Sequence, residues 1–306
     1  MFFIPLILMS LQNIHNPFKS LKFRDLVLRF LISSLLIGFV LYFLEASFSF
    51  KLNQQDSVII VYIIQFVLVC LWTIKDFGRL KAKTKYVMGD FPKNYKWLRS
   101  AWLVPVAIIF SLSAFIVLFY LLSLSAPDFV EQFLRSVADA PTVENSNSFA
   151  SNLLVSIAFC LVAPVTEEFL FRGIILQRWA TKWGIHAGLL WSSLFFGVLH
   201  PQNPIGLTLL GIILGVLYIK TRSLTVPIVF HALNNILAVS TQLLPSNSSS
   251  YKPEESLQNL ISNWWIGLIL MAISLPLLLR FIWKNWPSKN TNIPYLSNAN
   301  KERRAI

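Results

Sequence analysis

Charge is what this sequence has least of. Asp, Glu, Lys and Arg make up 13% of its 306 residues, about half of what a soluble domain carries, while 55% are hydrophobic and mean hydropathy is +0.62. That excludes an ordinary soluble globular chain. Cysteine is nearly absent: only Cys70 and Cys160, both inside apolar runs, so neither a disulfide framework nor a paired-cysteine metal site is indicated. Each reads as a small core residue. There is no His-Glu-x-x-His pair, no repeat of solenoid period and no second soluble domain. Net charge is +12, but the basic residues follow the loops rather than forming a nucleic-acid surface. No nucleic-acid partner is expected.

What is there is a series of apolar runs, each near the 17 to 25 residues, roughly, that a bilayer requires. They cover 26–44, 58–74, 101–124, 151–176, 184–200, 205–219, 224–244 and 263–283. The expected fold class is therefore all-α, a polytopic membrane protein of about eight transmembrane helices in one domain. Residues 1–25 form an N-terminal lead-in, 26–283 the helical domain with a core at 150–244, and 284–306 a polar, mobile C-terminal tail. Met1 to Leu11 is apolar but short and lacks a basic start, so it reads as an interfacial or buried lead-in rather than a signal peptide. Asp128 to Phe149 and Ser246 to Glu255, with Pro141, Pro253 and Ser/Asn clusters, read as outer loops.

Charge placement sets the orientation. With the N-terminus inside, all of the 26 Lys and Arg except Lys51, Arg135 and Lys252 fall on the inner side. The outer side keeps those three with eight acids, Glu45, Asp56, Asp128, Glu131, Asp139, Glu144, Glu254 and Glu255. By the positive-inside rule both termini are expected on the cytoplasmic side of a multi-pass membrane protein. The basic loop at 75–99 orients the chain and contacts anionic lipid.

Against this background Pro164-Val-Thr-Glu167-Glu168-Phe-Leu-Phe-Arg172 stands out. A charged side chain at the bilayer centre costs about 2.5 to 3.5 kcal/mol even on the lenient insertion scale, and three fall within six residues. At roughly 100° per residue, Glu168 and Arg172 lie about 40° apart on one helical face and can pair, whereas Glu167 lies about 140° from Arg172. Glu167 is the freer carboxylate. Pro164 loosens the helix where the acids begin.

Two later segments carry polar groups of the same kind. His200 closes Phe196-Gly-Val-Leu-His200 just before Pro201-Gln-Asn-Pro204, and His231 and Asn235 share one face of the next-but-one apolar run. Pro227 stands four residues ahead of His231, as Pro164 stands ahead of the acids. A carboxylate sharing a water with a neutral imidazole can act as general base. A second imidazole and an amide NH2 can donate toward a developing oxyanion. These are the parts of a water-activating peptidase, with no serine or cysteine nucleophile required.

At these residues the chain resembles the CPBP family (CAAX protease and bacteriocin-processing, or Abi) of intramembrane glutamic endopeptidases. That family is marked by Glu-Glu-x-x-x-Arg, Phe-x-x-x-His and His-x-x-x-Asn/Asp, present here as Glu167-Glu168…Arg172, Phe196…His200 and His231…Asn235, in order. The resemblance covers about 150–244. It implies an endopeptidase acting on a membrane-associated protein or peptide, with Glu167 and His200 activating water, His231 and Asn235 forming an oxyanion hole, and Glu168 with Arg172 holding the site in shape. It implies no metal or other cofactor; the partners are membrane lipid and the peptide substrate.

Two rival readings stand beside it. One is a zinc-dependent membrane metalloprotease with Glu167, His200 and His231 as ligands. The other is a non-enzymatic membrane scaffold or immunity protein whose polar cluster holds helices together. One geometric demand also follows: on straight helices His200 lies ~24 Å and His231 only ~10 Å from the inner surface at 1.5 Å per residue, so tilt or a deeper helix start must bring them level.

Overall fold

The computed structural model describes residues 15–48, 53–138, 148–242 and 253–305. Among them there is no strand. The protein is an all-α, multi-pass membrane protein, built from α1 (Phe23–Phe48), α2 (Gln54–Arg79), α3 (Thr84–Met88), α4 (Leu103–Ser123), α5 (Pro127–Ala138) and α6 (Phe149–Trp183). After these come α7 (Ile185–Val198), α8 (Pro204–Thr221), α9 (Thr225–Gln242), α10 (Pro253–Asn285) and α11 (Pro294–Ala305). Six of the described helices are long and apolar enough to cross a membrane, and α7 and α9 are shorter apolar helices. Together they correspond to the eight runs read from the sequence.

The packing order follows burial. The outermost, α1, lies on α2, and α2 on α6; α6 meets α7 and α9; α8 sits between α7 and α4; and α10 closes against α4. Helix α8 is the inner one, buried along most of its second half, while α1 and α10 turn Leu35, Phe39, Ile273 and Trp283 outward. Those outward apolar surfaces suit lipid, not water. The α7 and α8 backbones approach closely because neither carries bulk at the crossing. A Cβ on Gly197 would stand 2.0 Å from Thr208 Oγ1, and one on Gly211 3.0 Å from Ser193 Cβ. Small residues are how membrane helices reach such distances.

Three expectations about the connecting segments need correction or limits. The stretch after Asp128 is a helix, not a loop, up to Ala138. Its polar residues alternate at helical spacing with Val130 and Leu134, which are buried beside Phe119, and Phe133 stacks on Phe119 at 4.6 Å. Mean polarity hid the period of an amphipathic helix. Pro253 to Glu255 likewise begin α10 rather than end a loop. Met1 to Leu11, Pro141 with Asn145 to Asn147, and Ser246 to Lys252 lie outside the described residues, while Ser148, the last of that Ser/Asn cluster, caps α6.

The C-terminal tail was expected to be mobile, but α11 is docked. Ile293, Tyr295 and Ala299 are buried, the Tyr295 ring packing edge-on to Phe18 at 5.6 Å and to Tyr86 at 5.4 Å. Its backbone N–H donates to Gln177 Oε1 at 2.8 Å, and its hydroxyl accepts from Lys83 N at 3.1 Å. Asn298 Nδ2 lies 2.9 Å from the carbonyls of both Tyr86 and Arg222. Lys85 pairs with Glu302 at 2.6 Å and Lys301 with Asp90 at 2.7 Å. The apolar contacts are too few to mark a helix in sequence, and every partner is remote along the chain.

This docking predicts a pH dependence. The hydrogen bond from Lys85 holds the Glu302 carboxyl below its usual range, and Lys301 does the same for Asp90. Groups lowered on folding stabilise above their unfolded pKa, about 4.3 for Glu and 3.9 for Asp, and that contribution disappears as pH falls through the folded value. Amide exchange protection over 294–305 should therefore fall below about pH 4 and should also weaken with salt, since both pairs are exposed. Unchanged protection at pH 3 would show that the buried contacts alone hold α11.

Candidate active site

Helix α6 is not α-helical throughout, which is where the sequence reading was too simple. Residues 158–162 and 169–176 are π-helical, and the acids lie in the α-helical turn Ala163–Glu168 between them. In the first π segment Ala163 N–H donates to Ala158 O, five residues back. The next donor in that register is Pro164, which has no N–H. Phe159 O therefore has no helical donor, and Asn235 Nδ2 supplies one at 2.8 Å. A proline in the ladder has thus been answered by an amide from α9. Single π turns of this kind gather at functional sites. Pro227, by contrast, lies in the first turn of α9, where no intrahelical bond is lost.

The three charges are buried: Glu168 is 0%, Arg172 2% and Glu167 5% exposed. Arg172 Nη1 lies 2.6 Å from Glu168 Oε1, the pairing expected from the i, i+4 spacing. Its Nη2 donates to Gly211 O of α8 at 3.2 Å, and its guanidinium sits 4.6 Å over the Phe196 ring. Glu168 Oε1 also faces His231 Nδ1 at 2.9 Å. A carboxylate can only accept, so Nδ1 is the donor. Glu168 is thereby committed to two partners on two helices.

Glu167 stands apart from that pair. Its Oε1 accepts the Tyr62 hydroxyl of α2 at 2.7 Å, and its Oε2 lies 3.9 Å from His231 Nε2. Tyr62 is held in turn by the rings of Phe66 at 4.7 Å and Phe159 at 6.2 Å.

His200 comes from the other side. It lies past the end of α7, where Asn203 caps α8 through Gly206 N at 3.1 Å and donates to Ser111 O at 2.8 Å. Its Nδ1 donates to Phe196 O at 2.7 Å, which leaves the Nε2 lone pair unused. The His200 ring is 4.6 Å from that of Phe196, and His231 meets the same ring edge-on at 5.9 Å. Both imidazoles thus touch one phenyl ring, closing the difference in depth that straight helices would leave. His200 and Glu167 make no direct hydrogen bond among the described residues.

The structure therefore brings Glu167, Glu168, Arg172 and His231 into one contact network, attaches Asn235 one turn away through Phe159, and sets His200 across Phe196. Sequence reasoning missed Tyr62, the Phe196 ring and Gly211 O. Tyr62 had a signal, since a hydroxyl within an otherwise apolar spanning run needs a partner. A backbone carbonyl such as Gly211 O leaves none. The cysteines are free, and Cys70 Sγ lies 3.7 Å from Thr166 O, a core packing role.

Comparison with known proteins finds similarity over the same part of the chain. Residues 149–237 match the family described as type II CAAX prenyl endopeptidase Rce1-like. A Bacillus subtilis (strain 168) protein named "Putative membrane peptidase YdiL" is 32% identical over 107 residues, 34% of this chain and 43% of that protein. An "Uncharacterized 24.3 kDa protein" of Escherichia coli is 34% identical over 86 residues, 26% of this chain and 40% of that protein. The similarity thus spans less than half the length of each curated relative. No solved structure matches at comparable significance. The matched segment contains every residue of the site except Tyr62, and over residues 149–237 the chain is similar to the CAAX-type endopeptidases that its three motifs resemble.

Proposed function

We propose that the protein is an intramembrane endopeptidase that hydrolyses a peptide bond of a membrane-associated protein or peptide with water activated by Glu167 and His200. The observation that carries this reading is the division between the two acids: Glu168 is hydrogen-bonded to Arg172 and His231, while Glu167 is buried, accepts the Tyr62 hydroxyl and has only His231 Nε2, at 3.9 Å, as a basic neighbour within 4 Å among the described residues. Glu167 and His200 meet through the attacking water, which gives its proton to the carboxylate as oxygen bonds to the scissile carbon. The same proton then goes to the leaving amine.

His231 and Asn235 face the developing oxyanion. With Nδ1 committed to Glu168, His231 donates from Nε2 only as the imidazolium. Asn235 has one amide hydrogen engaged by Phe159 O and one remaining. We also place both termini on the cytoplasmic side, because the positive-inside rule assigns the Lys- and Arg-bearing ends of α2, α6, α8 and α10 to that side.

Quantitative proteomics of membrane fractions from cells with the intact protein and with Glu167→Ala tests this reading. Fragments present only with the intact protein would name substrates; identical fragment sets would favour a scaffold or immunity role. The scheme uses no cofactor, and chelator-stripped protein should keep its cleavage rate. A loss that only zinc reverses would favour the metalloprotease reading. Among the described residues no three His, Cys, Asp or Glu side chains group as a metal site.

Tyr62→Phe isolates the second carrier of the site. It keeps the ring between Phe66 and Phe159 but removes a hydrogen bond to a charged acceptor, of a class that contributes about 1.5 to 3 kcal/mol. Turnover should fall about ten- to hundredfold with KM and melting temperature little changed. Wild-type kcat in this variant would mean that Glu167 is positioned without Tyr62.

A further inference from the structure

On the face where α8, α10 and the loop after α3 end, a cavity of about 880 Å³ opens between residues 90–95, 220–222 and the docked α11. Lys93, Lys220, Arg222 and Lys301 line it against a single acid, Asp90, which is already paired with Lys301. Lys220 is held by Asn285, but Lys93 and Arg222 have no carboxylate partner among the described residues. A second cavity of about 340 Å³ shares Arg222 and Lys301 and adds Arg304. Positive charge is therefore concentrated in a concave space, not spread over a convex surface.

The floor of this basin is fixed. Arg222 is in the left-handed conformation, φ +58°, an unfavourable one for a residue with a Cβ. It is kept there by Arg222 N–H to Tyr218 O at 2.8 Å and by Asn298 on its carbonyl at 2.9 Å. Gly89, at φ +68°, lies so close beneath that a Cβ there would be 1.9 Å from Arg222 O. Leu224 N–H closes the contact on Met88 O at 2.8 Å. Three segments distant in sequence thus converge to aim one arginine into the basin.

Phe91 lines the basin beside the cations, and Trp97 and Leu98 follow a few residues later in the chain. Phe91 is 61% and Leu98 92% exposed, with Trp97 bridging them at 6.4 Å from Phe91. Trp97 itself is stacked on Phe230 of α9. A soluble anion would need the cations alone, whereas a phosphate carried on acyl chains needs both. We propose that this basin binds the headgroup of an anionic phospholipid, whose phosphate lies among Lys93, Lys220 and Arg222 while Phe91 and Leu98 meet its acyl chains. So bound, the lipid ties the loop after α3 and the end of α8 to α11. The proposal is independent of the hydrolytic reading above.

The test uses the full chain in neutral detergent, with dioleoylphosphatidylglycerol, dioleoylphosphatidylcholine or sn-glycerol 3-phosphate added, read by native mass spectrometry and melting temperature. Only phosphatidylglycerol should bind tightly and raise the melting temperature. Arg222→Gly should melt no lower than wild type without lipid, because glycine adopts φ +58° freely, yet bind phosphatidylglycerol about fivefold more weakly. Adding Lys93→Gln and Lys220→Gln should bring the loss to the order of 100-fold, while Lys19→Gln, outside the basin, should leave binding unchanged. Equal binding of phosphatidylcholine, or unaltered binding by the triple variant, would overturn the proposal. So would glycerol 3-phosphate binding as tightly as the lipid, which would make the basin a soluble-anion site.

Discussion

Glu167→Gln should abolish cleavage and leave the protein folded. Glutamine has nearly the same volume, and its Oε1 can still accept the Tyr62 hydroxyl at the 2.7 Å position. What it cannot do is take a proton from water. Loss of a general base typically costs about 10²- to 10⁴-fold in rate, enough to bring an intramembrane protease below detection. His200→Ala should be as inactive, because it removes the imidazole whose Nε2 lone pair is unused while leaving the Arg172–Glu168 pair intact. Neither variant leaves a buried charge newly unpaired, so melting in detergent should change little. The pair of measurements matters: inactivity with a normal melt is the signature of lost chemistry. Full activity in Glu167→Gln would sink the glutamate mechanism outright.

That division between Glu167 and Glu168 was legible in the sequence alone, because it depends only on which acid shares a helical face with Arg172. It survives in a helix that is not regular: Glu168 ends an α-helical turn and Arg172 lies in the π segment that follows, yet the two side chains still pair at 2.6 Å. Eight apolar runs were legible for a similar reason: bilayer thickness imposes their length directly on the sequence. What stayed hidden were interactions whose partners are far apart in the chain. Tyr62 reaches Glu167 across 105 positions and Asn235 reaches Phe159 across 76, and in both cases the sequence offers only a polar atom without a stated destination. The docking of α11 was hidden more deeply. Tyr295 and Ile293 look like stray apolar residues in a polar tail until Gln177, fully buried on α6, is seen to receive the Tyr295 N–H. Gln177 also donates to Gly173 O and Tyr218 Oη, so the C-terminal helix is tied to the same helix that carries the acids.

Arg172→Ala should fail differently from Glu167→Gln, losing stability and activity together. Among the described residues the guanidinium is the one permanently charged group hydrogen-bonded to Glu168; Glu168 is 0% exposed, and the other contacts of Arg172 are Gly211 O and the Phe196 face. Removing one member of a buried pair costs about 3 to 5 kcal/mol because the other charge is left in low dielectric. His231 Nδ1 remains on Glu168, but it must then serve as sole partner to a carboxylate that previously had two. A truncated Arg172 also frees the Phe196 ring, against which both His200 and His231 rest, so the two imidazoles lose their common support. Arg172→Lys should fall between, keeping the charge but losing the fork that reaches Glu168 and Gly211 O at once. The decisive protein is the double variant Glu168→Gln with Arg172→Met. It replaces the ion pair with neutral groups of similar volume, and the glutamine side chain can still accept from His231. Most of the lost stability should return, as it does when buried ion pairs are exchanged for well-packed neutral groups, whereas cleavage should not. Thermal melting in detergent beside a cleavage assay separates the cases. A single Arg172→Ala variant as stable as wild type, or a double variant no more stable than the single, would show that the pair does not hold this site together.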